Sequence, residues 1–458
     1  MVENFLPRLS VVGLGKLGAP MAAVLASKGF EVVGVDLEPR HVEAINAGKA
    51  PVVEPQLEQY IAAAGHRLRA THDYRDAVHN SDISFIIVPT PTGADGAFSN
   101  RFVLSAVTEI GKALRTKDGF HNVVITSTVM PGSTNGEIRK TLEEHSARKV
   151  GVDLGLCYSP EFIALGSVIH DMLNPDFVLI GESDPDSGAM LERVYRRVCE
   201  NAPSFRRMNL INAEICKIAV NTFITTKISF ANMLAEVCER LDGADVDVVC
   251  AAAGTDSRIG RKYFRGAIGY GGPCFPRDNR AFVTLAERLG VVCDLPKATD
   301  KTNDHQVTRL RLAIEQHAKP GDRVVVLGLS YKPDTNVVEQ SQGVALARQL
   351  ADSGRFVTVY DPLANPTAEA VLGDQVVYAE TLEEAIEAGE VIVITTAWKQ
   401  FAKLGNDILS DKSLLIIDPW RVVDPKSLKS SMQVIYPGRG SLSAESGITK
   451  QAGRENSL

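Results

Sequence analysis

One turn limits the folds open to this chain more than any other feature. Val11-Val12-Gly13-Leu14-Gly15-Lys16-Leu17-Gly18 follows an apolar run and opens a helical pattern, and Asp36 ends the next apolar run. Three glycines at this spacing, between a strand and a helix, mark a βαβ unit on a parallel sheet. Gly13 permits the tight turn, Gly15 lets the backbone approach a diphosphate, and Gly18 lets the helix pack on its strand. The helix N-terminus offers free N–H groups and its positive dipole end to phosphates. Asp36 is placed to accept hydrogen bonds from ribose hydroxyls and would repel a 2′-phosphate, which favours NAD over NADP. Leu17 belongs to the same turn, and Lys16 reads as a solvated side chain.

Short apolar runs alternate with helical stretches from Leu9 to about Gly181, as βαβ units require. Candidate strands are 9–12, 31–36, 83–89, 122–126 and 177–180. From about 208 to 241 the pattern becomes one long helix. Ile215, Ile218, Ala219, Ile224, Ile228, Ala231, Leu234, Ala235 and Cys238 recur at three- and four-residue spacing. Such a helix is long enough to join two domains and to offer a subunit interface. After the turn at Pro320-Gly321-Asp322 a second α/β pattern begins, with candidate strands 323–327, 357–360, 391–395 and 414–418. The reading is an α/β chain of two doubly wound, Rossmann-like domains joined by a central long-helix region.

The length of 458 residues exceeds what one core supports. Hydrophobic residues at 45% and charged residues at 23% fit a soluble globular protein, and the net charge of −7 argues against a nucleic-acid partner. The seven cysteines form no CxxC pair and no metal-like cluster with histidine, so reduced thiols and no metal are expected. The sequence shows no signal-like leader and no apolar run of membrane-spanning length, so a cytoplasmic protein without a membrane partner is expected.

Chemistry concentrates in Gly269-Tyr270-Gly271-Gly272-Pro273-Cys274-Phe275-Pro276-Arg277-Asp278. A cysteine among glycines and prolines sits on backbone that can approach a substrate closely, with an aspartate four residues on. A thiolate there can attack a carbonyl carbon. A nicotinamide cofactor and a nucleophilic thiol in one chain point to oxidation beyond the aldehyde. Lys217 and Asn221 lie one turn apart on the long helix and share a face.

With these motifs in hand, the chain resembles the nucleotide-sugar 6-dehydrogenases, the family of UDP-glucose and GDP-mannose dehydrogenases. The likeness is carried by Val88-Pro89-Thr90-Pro91-Thr92, Ser127-Thr128-Val129-Met130-Pro131-Gly132-Ser133-Thr134 and Ser159-Pro160-Glu161-Phe162. It continues through Lys217-Ile218-Ala219-Val220-Asn221, Arg258-Ile259-Gly260, the cysteine loop, Tyr331-Lys332-Pro333 and Tyr360-Asp361-Pro362. The resemblance implies an NAD-binding Rossmann domain over 1–205, a central helical dimerisation and catalytic-loop region over 206–300 and a linker over 301–319. A Rossmann-like nucleotide-sugar domain over 320–440 and a flexible tail over 441–458 complete the expected organisation.

The same resemblance implies a homodimer and a four-electron oxidation of a sugar C6 alcohol to an acid through Cys274. Lys217 would stabilise oxyanion charge, Asn221 would hold substrate or water, and Asp278 would assist proton transfer and orient the lysine or a water. Glu161 would be the base for thioester hydrolysis, with Thr128 holding a water. Pro89, Thr90 and Thr128 would line the cofactor. Lys332 and Arg421 from the C-terminal domain, and Arg258 from a neighbouring subunit, would hold the nucleotide sugar. Phe162, Tyr270, Gly271 and Phe275 would complete that site.

The chain departs from the family pattern at four positions: Leu165 stands for a glutamate, Pro273 for a serine, Arg277 for a lysine and Glu339 for an arginine. Cys-Phe-Pro-Arg-Asp is similar to the UDP-glucose branch, with UDP-N-acetylhexosamine and GDP-mannose enzymes as alternatives. A single-step hydroxyacid dehydrogenase is a further alternative that needs no nucleophilic thiol.

Overall fold

A computed structural model describes residues 6–319, 321–404 and 412–440. The expected tail over 441–458 and the proline of the Pro320 turn lie outside the described residues. The chain divides into two compact units, each assembled from three segments. The described residues of the first are 6–223, 272–297 and 330–339; those of the second are 224–271, 298–319, 321–329, 340–404 and 412–440.

The first unit carries an eight-stranded sheet: β1 (Leu9–Val12), β2 (Val32–Val35), β3 (Leu68–Thr71), β4 (Ile83–Ile86), β5 (His121–Ile125), β6 (Leu154–Tyr158), β7 (Phe177–Glu182) and β8 (Ser204–Asn209). The spatial order is β3-β2-β1-β4-β5-β6-β7-β8. Neighbours run parallel except β6 and β7. β1 and β4 are neighbours although two strands separate them in sequence, so the winding reverses there. Ligands of open α/β sheets bind at the carboxyl ends of strands beside such a switch.

Alternating side chains feed two cores. Leu9, Val11, Val32 and Ile83 pack to one face, and Val12, Val33, Val35 and Ile86 to the other. Both faces are buried, which is why these strands read as continuous apolar runs.

The second unit carries a six-stranded, wholly parallel sheet: β9 (Val324–Leu327), β10 (Val357–Tyr360), β11 (Val377–Tyr378), β12 (Val391–Ile394), β13 (Leu414–Ile417) and β14 (Met432–Ile435). Its order, β11-β10-β9-β12-β13-β14, repeats the winding of the first six strands of the other sheet.

The long helix is Leu210–Glu239, 30 residues or roughly 45 Å at 1.5 Å per residue. Its faces correct the periodicity reading. Ile215, expected inside, is exposed, while Glu214, Lys217, Asn221, Thr225, Ser229 and Asn232 are buried. The buried polar groups are there to be hydrogen-bonded. Asn232, for example, donates to the Ile268 carbonyl and accepts from the Ala267 N–H, both at 2.8 Å. No helix among the described residues is long and apolar enough to cross a membrane.

Candidate active site

The cofactor turn has the form its sequence requires. Gly13 has φ +95°, and a Cβ there would strike the Ile87 carbonyl. A Cβ on Gly18, the first residue of helix Gly18–Ser27, would run into the Gly13 carbonyl. A Cβ on Gly15 meets nothing within 4 Å, so the turn is open on the side a diphosphate would occupy. The Leu14 N–H donates to Asp36 Oδ2 at 2.6 Å, and Glu38 N–H donates to Oδ1 at 2.8 Å. His41 Nδ1 lies 3.2 Å from Oδ2 as well, so Oδ1 is the oxygen that keeps a lone pair for a ribose hydroxyl. Leu17 is half-buried and Lys16 exposed. These residues fit an NAD adenosine diphosphate.

The loops after β4 and β5 are stitched to each other. Ser127 Oγ donates to the Val88 carbonyl at 2.8 Å and accepts from the Val88 N–H at 2.9 Å. Thr90 Oγ1 donates to the Thr128 carbonyl at 2.8 Å, which fixes Thr128 beside the Pro89–Thr90 segment. Glu214, a fully buried carboxylate, accepts from the N–H groups of Gly132 and Thr134 at 2.6 and 2.7 Å. Sequence reasoning missed this clamp. Its signal was an acid on the buried side of a helix, three residues before Lys217.

A small apolar cluster docks the cysteine helix, Phe275–Arg288, on these loops. Ala97 and Phe98 come from the chain after β4, Met130 from the chain after β5, Ile218 from the long helix and Ala281 from the cysteine helix. Cys274 is the residue immediately before that helix, where the dipole favours a thiolate. The residue is exposed, yet protein packed around the sulfur raises its thiol above the usual value. Asp278 adds to that rise, while Lys217 and Arg277 oppose it.

Within the first unit Asp278 and Lys217 act on this thiol, Asn221 is tied to Asp278, and Glu161 to Lys217. Lys217 Nζ donates to the Glu161 carbonyl at 2.6 Å and lies 4.4 Å from the Phe162 ring centroid. Burial lowers its ammonium, with Asp278 and Cys274 pulling the other way. Asp278 was expected to orient Lys217 or a water. Its buried carboxylate accepts from Asn221 Nδ2 at 2.6 Å on Oδ2 and from Arg277 on Oδ1 at 3.1 and 3.2 Å, and acts on the Lys217 ammonium through its charge. Burial pushes the Glu161 carboxyl up to about 7. The Tyr195 hydroxyl donates to Glu161 Oε1 at 3.3 Å and accepts from Ser159 Oγ at 3.1 Å. Tyr195 was not legible in the sequence, because it sits on a helix with no motif around it.

The cations expected to hold the nucleotide sugar have different settings. Lys332 was assigned to the C-terminal domain, but residues 330–339 pack with the first unit. The physical reason is close fit: a Cβ on Gly272 would strike the Tyr331 ring, and one on Gly166 the Asp334 carbonyl. Burial lowers the Lys332 ammonium, and Asp171 and Glu54 oppose that.

Arg421 is a largely buried residue of the second unit at φ +55°. Its guanidinium donates to the carbonyls of Gly266 at 2.9 Å and Pro437 at 2.6 Å and pairs with Asp247 at 2.9 Å. Arg258 is exposed and pairs with Asp256 at 2.6 Å. Tyr270, expected against the sugar or base, is a core residue whose hydroxyl donates to Asp300 at 2.6 Å. Gly271 and Phe275 are half-buried.

A dinucleotide turn at a sheet switch point, with a thiol, an amine and a carboxyl in the same unit, fits a nicotinamide-dependent dehydrogenase. Comparison with known proteins narrows this class. Models of the UDP-glucose/GDP-mannose dehydrogenase family match at residues 7–199 (NAD binding domain), 211–305 (central domain) and 325–425 (UDP binding domain). A UDP-glucose 6-dehydrogenase of Haloferax volcanii is 35% identical over 91% of this chain and 97% of its own length. A GDP-mannose 6-dehydrogenase of Pseudomonas putida is 33% identical over 89% of this chain and 95% of its own. The structure of a UDP-glucose dehydrogenase from Pyrobaculum islandicum superposes with a TM-score of 0.87 at 34% identity, covering 96% of this chain and 99% of that one. The chain belongs to the UDP-glucose/GDP-mannose dehydrogenase family and is an NAD-dependent nucleotide-sugar dehydrogenase.

Proposed function

We propose that this enzyme oxidises the C6 hydroxymethyl of UDP-glucose to the carboxylate of UDP-glucuronate, with Cys274 as covalent nucleophile. The observation that carries the reading is a cysteine at a helix N-terminus with Lys217 and Asp278 acting on its thiol, Lys217 in turn bonded to Glu161 and Asp278 to Asn221. UDP-glucose is favoured because relatives named for it match over nearly the whole chain at 34 and 35% identity.

Two NAD molecules, bound in turn, would each accept one of the two hydrides the reaction releases. Lys217 is the charge that stabilises the C6 alkoxide and later the oxyanion on the same carbon. The thiol of Cys274 adds to the C6 aldehyde: an S–C bond forms, the carbonyl π bond breaks, and the oxygen takes a proton. The resulting thiohemiacetal is a better hydride donor than a free aldehyde, and its oxidation leaves a thioester. Glu161, with a carboxyl raised to about 7, is poised to take a proton from the water that cleaves the S–C bond. Asn221 and Asp278 hold the cysteine helix against the lysine helix. Thr128 is proposed to hold the water, and Phe162 and Phe275 to wall the sugar. Lys332 is proposed to face the diphosphate.

The test is NADH formed per limiting UDP-glucose with product identified by mass. Two NADH with UDP-glucuronate is the expected result. One NADH points to a single-step dehydrogenase. None with UDP-glucose but two with GDP-mannose or a UDP-N-acetylhexosamine moves the substrate and leaves the chemistry.

We also propose a homodimer. Phe230, Met233 and Val237 form an exposed apolar stripe on the second unit's part of the long helix, with Leu241, Val248 and Tyr263 exposed after its end. An apolar stripe of this kind marks an association surface. Val237→Glu is expected to give monomers by sedimentation and to lose most activity, because exposed Arg258 is proposed to serve the partner's site. A fully active monomer would refute both points.

A further inference from the structure

Arg277 stands one residue from the catalytic cluster and no role is assigned to it. Its guanidinium is held on two sides. It lies 4.7 Å from the Phe98 ring centroid, and its Nε and Nη2 both donate to Asp278 Oδ1, at 3.2 and 3.1 Å. Asp278 is fully buried, and its other oxygen is taken by Asn221. A buried carboxylate needs a counter-charge as well as hydrogen bonds. Two cations border this one, Arg277 and Lys217. Only Arg277 bonds to it, and Lys217 donates to the Glu161 carbonyl instead.

We infer that Arg277 is a positioning residue that neutralises Asp278, so that the Lys217 charge stays available to the reacting oxygen and Cys274 is spared an unbalanced carboxylate. The inference deepens the reading of Cys274 as nucleophile and rests on it. The ring of Phe98 explains why an arginine suits the place. A planar guanidinium stacks on a ring and binds carboxylate with two donors, whereas a lysine supplies the charge without the fork. The charged groups around the thiol are Asp278 and Arg277 on its own helix, Lys217 on the long helix and Glu339 on the 330–339 segment. Asp278 and Glu339 raise the thiol; Lys217 and Arg277 lower it.

The experiment measures alkylation of Cys274 by iodoacetamide against pH, on the full chain without cofactor, with the Cys274 peptide quantified by mass spectrometry. It reads the thiol itself, so it succeeds or fails independently of whether Cys274 carries turnover. Arg277→Met is expected to move the alkylation midpoint up by about one pH unit, which is about tenfold slower reaction below the midpoint. Arg277→Lys is expected to stay within about threefold of the parent. Adding Asp278→Asn to Arg277→Met is expected to restore the rate, because the carboxylate that needed neutralising is gone. An unchanged profile in Arg277→Met overturns the inference. So does a double variant as slow as the single one, since loss of packing alone would not be reversed by removing the acid.

Discussion

Cys274→Ser is expected to form acid on the order of 10³-fold more slowly than the parent and to yield no more than one NADH per sugar. The substitution changes one atom in an exposed residue, so the fold and the cofactor turn should survive it. The nucleophile does not. A serine hydroxyl ionises far above neutral pH and has no base bonded to it here. Lys217 is a cation, and the Glu161 carboxyl already takes the Tyr195 hydroxyl. The first hydride transfer needs no thiol, so the aldehyde should still form and should be trappable with a hydrazine. The measurement is NADH per limiting UDP-glucose, together with the mass of the sugar product. Full turnover to the acid by the serine variant would remove the covalent step from the mechanism.

The strands that read clearly in the sequence are those buried on both faces. Leu9–Val12, Val324–Leu327 and Val391–Ile394 are nearly unbroken Val, Ile and Leu, and the structure places them at the centre or next to the centre of their sheets. The missed strands have other chemistry. Leu68–Thr71 and Ser204–Asn209 lie at opposite edges of the first sheet and carry arginines that face water, and Val377–Tyr378 is a two-residue edge. Leu154–Tyr158 is central and fully buried but reads Leu-Gly-Leu-Cys-Tyr, which lacks β-branched residues. Periodicity put Ile218, Ala231, Ala235 and Cys238 of the long helix inside, as they are, but misplaced Ile215. It assumes that apolar side chains turn inward, and here a reactive centre and its supporting hydrogen bonds take the inner face.

For the site, single residues were legible where a backbone constraint or a rare chemistry marks them. Gly13, Gly18 and Cys274 are of that kind. What the sequence could not show is pairing across distance. Asn221 and Asp278 are 57 residues apart, and Lys217 and the Glu161 carbonyl 56 apart. Nothing local says that Asp278 bonds to its neighbour Arg277 rather than to Lys217. Tyr270 was misjudged for the same reason. It flanks the cysteine in sequence, but Asp300, 30 residues on, holds its hydroxyl in the core.

Glu161→Gln is expected to separate oxidation from hydrolysis. Glutamine keeps the shape of the side chain and can still accept from Tyr195, so both hydride transfers should proceed once. The variant should then give a burst of two NADH per active site and stall with an acyl group on Cys274, visible as added mass on that peptide. Steady-state acid formation should fall by roughly 10²- to 10⁴-fold, the usual worth of a positioned base. In the parent, hydrolysis should rise with pH through about 7, where Glu161 becomes ionised, and the variant's residual rate should lack that step.

Stability should change in the opposite sense. Burial raises the folded-state carboxyl from 4.5 to about 7, so the native protein holds a proton that the unfolded chain has released. Stability from this group is therefore present below pH 4.5 and is lost as pH rises toward 7, by on the order of 3 kcal/mol. The amide carries no such penalty. Glu161→Gln should melt higher than the parent at pH 8 and close to it at pH 5. A variant that neither stalls as the acyl-enzyme nor gains stability at pH 8 would show that Glu161 is not the base and that its carboxyl is not raised by burial.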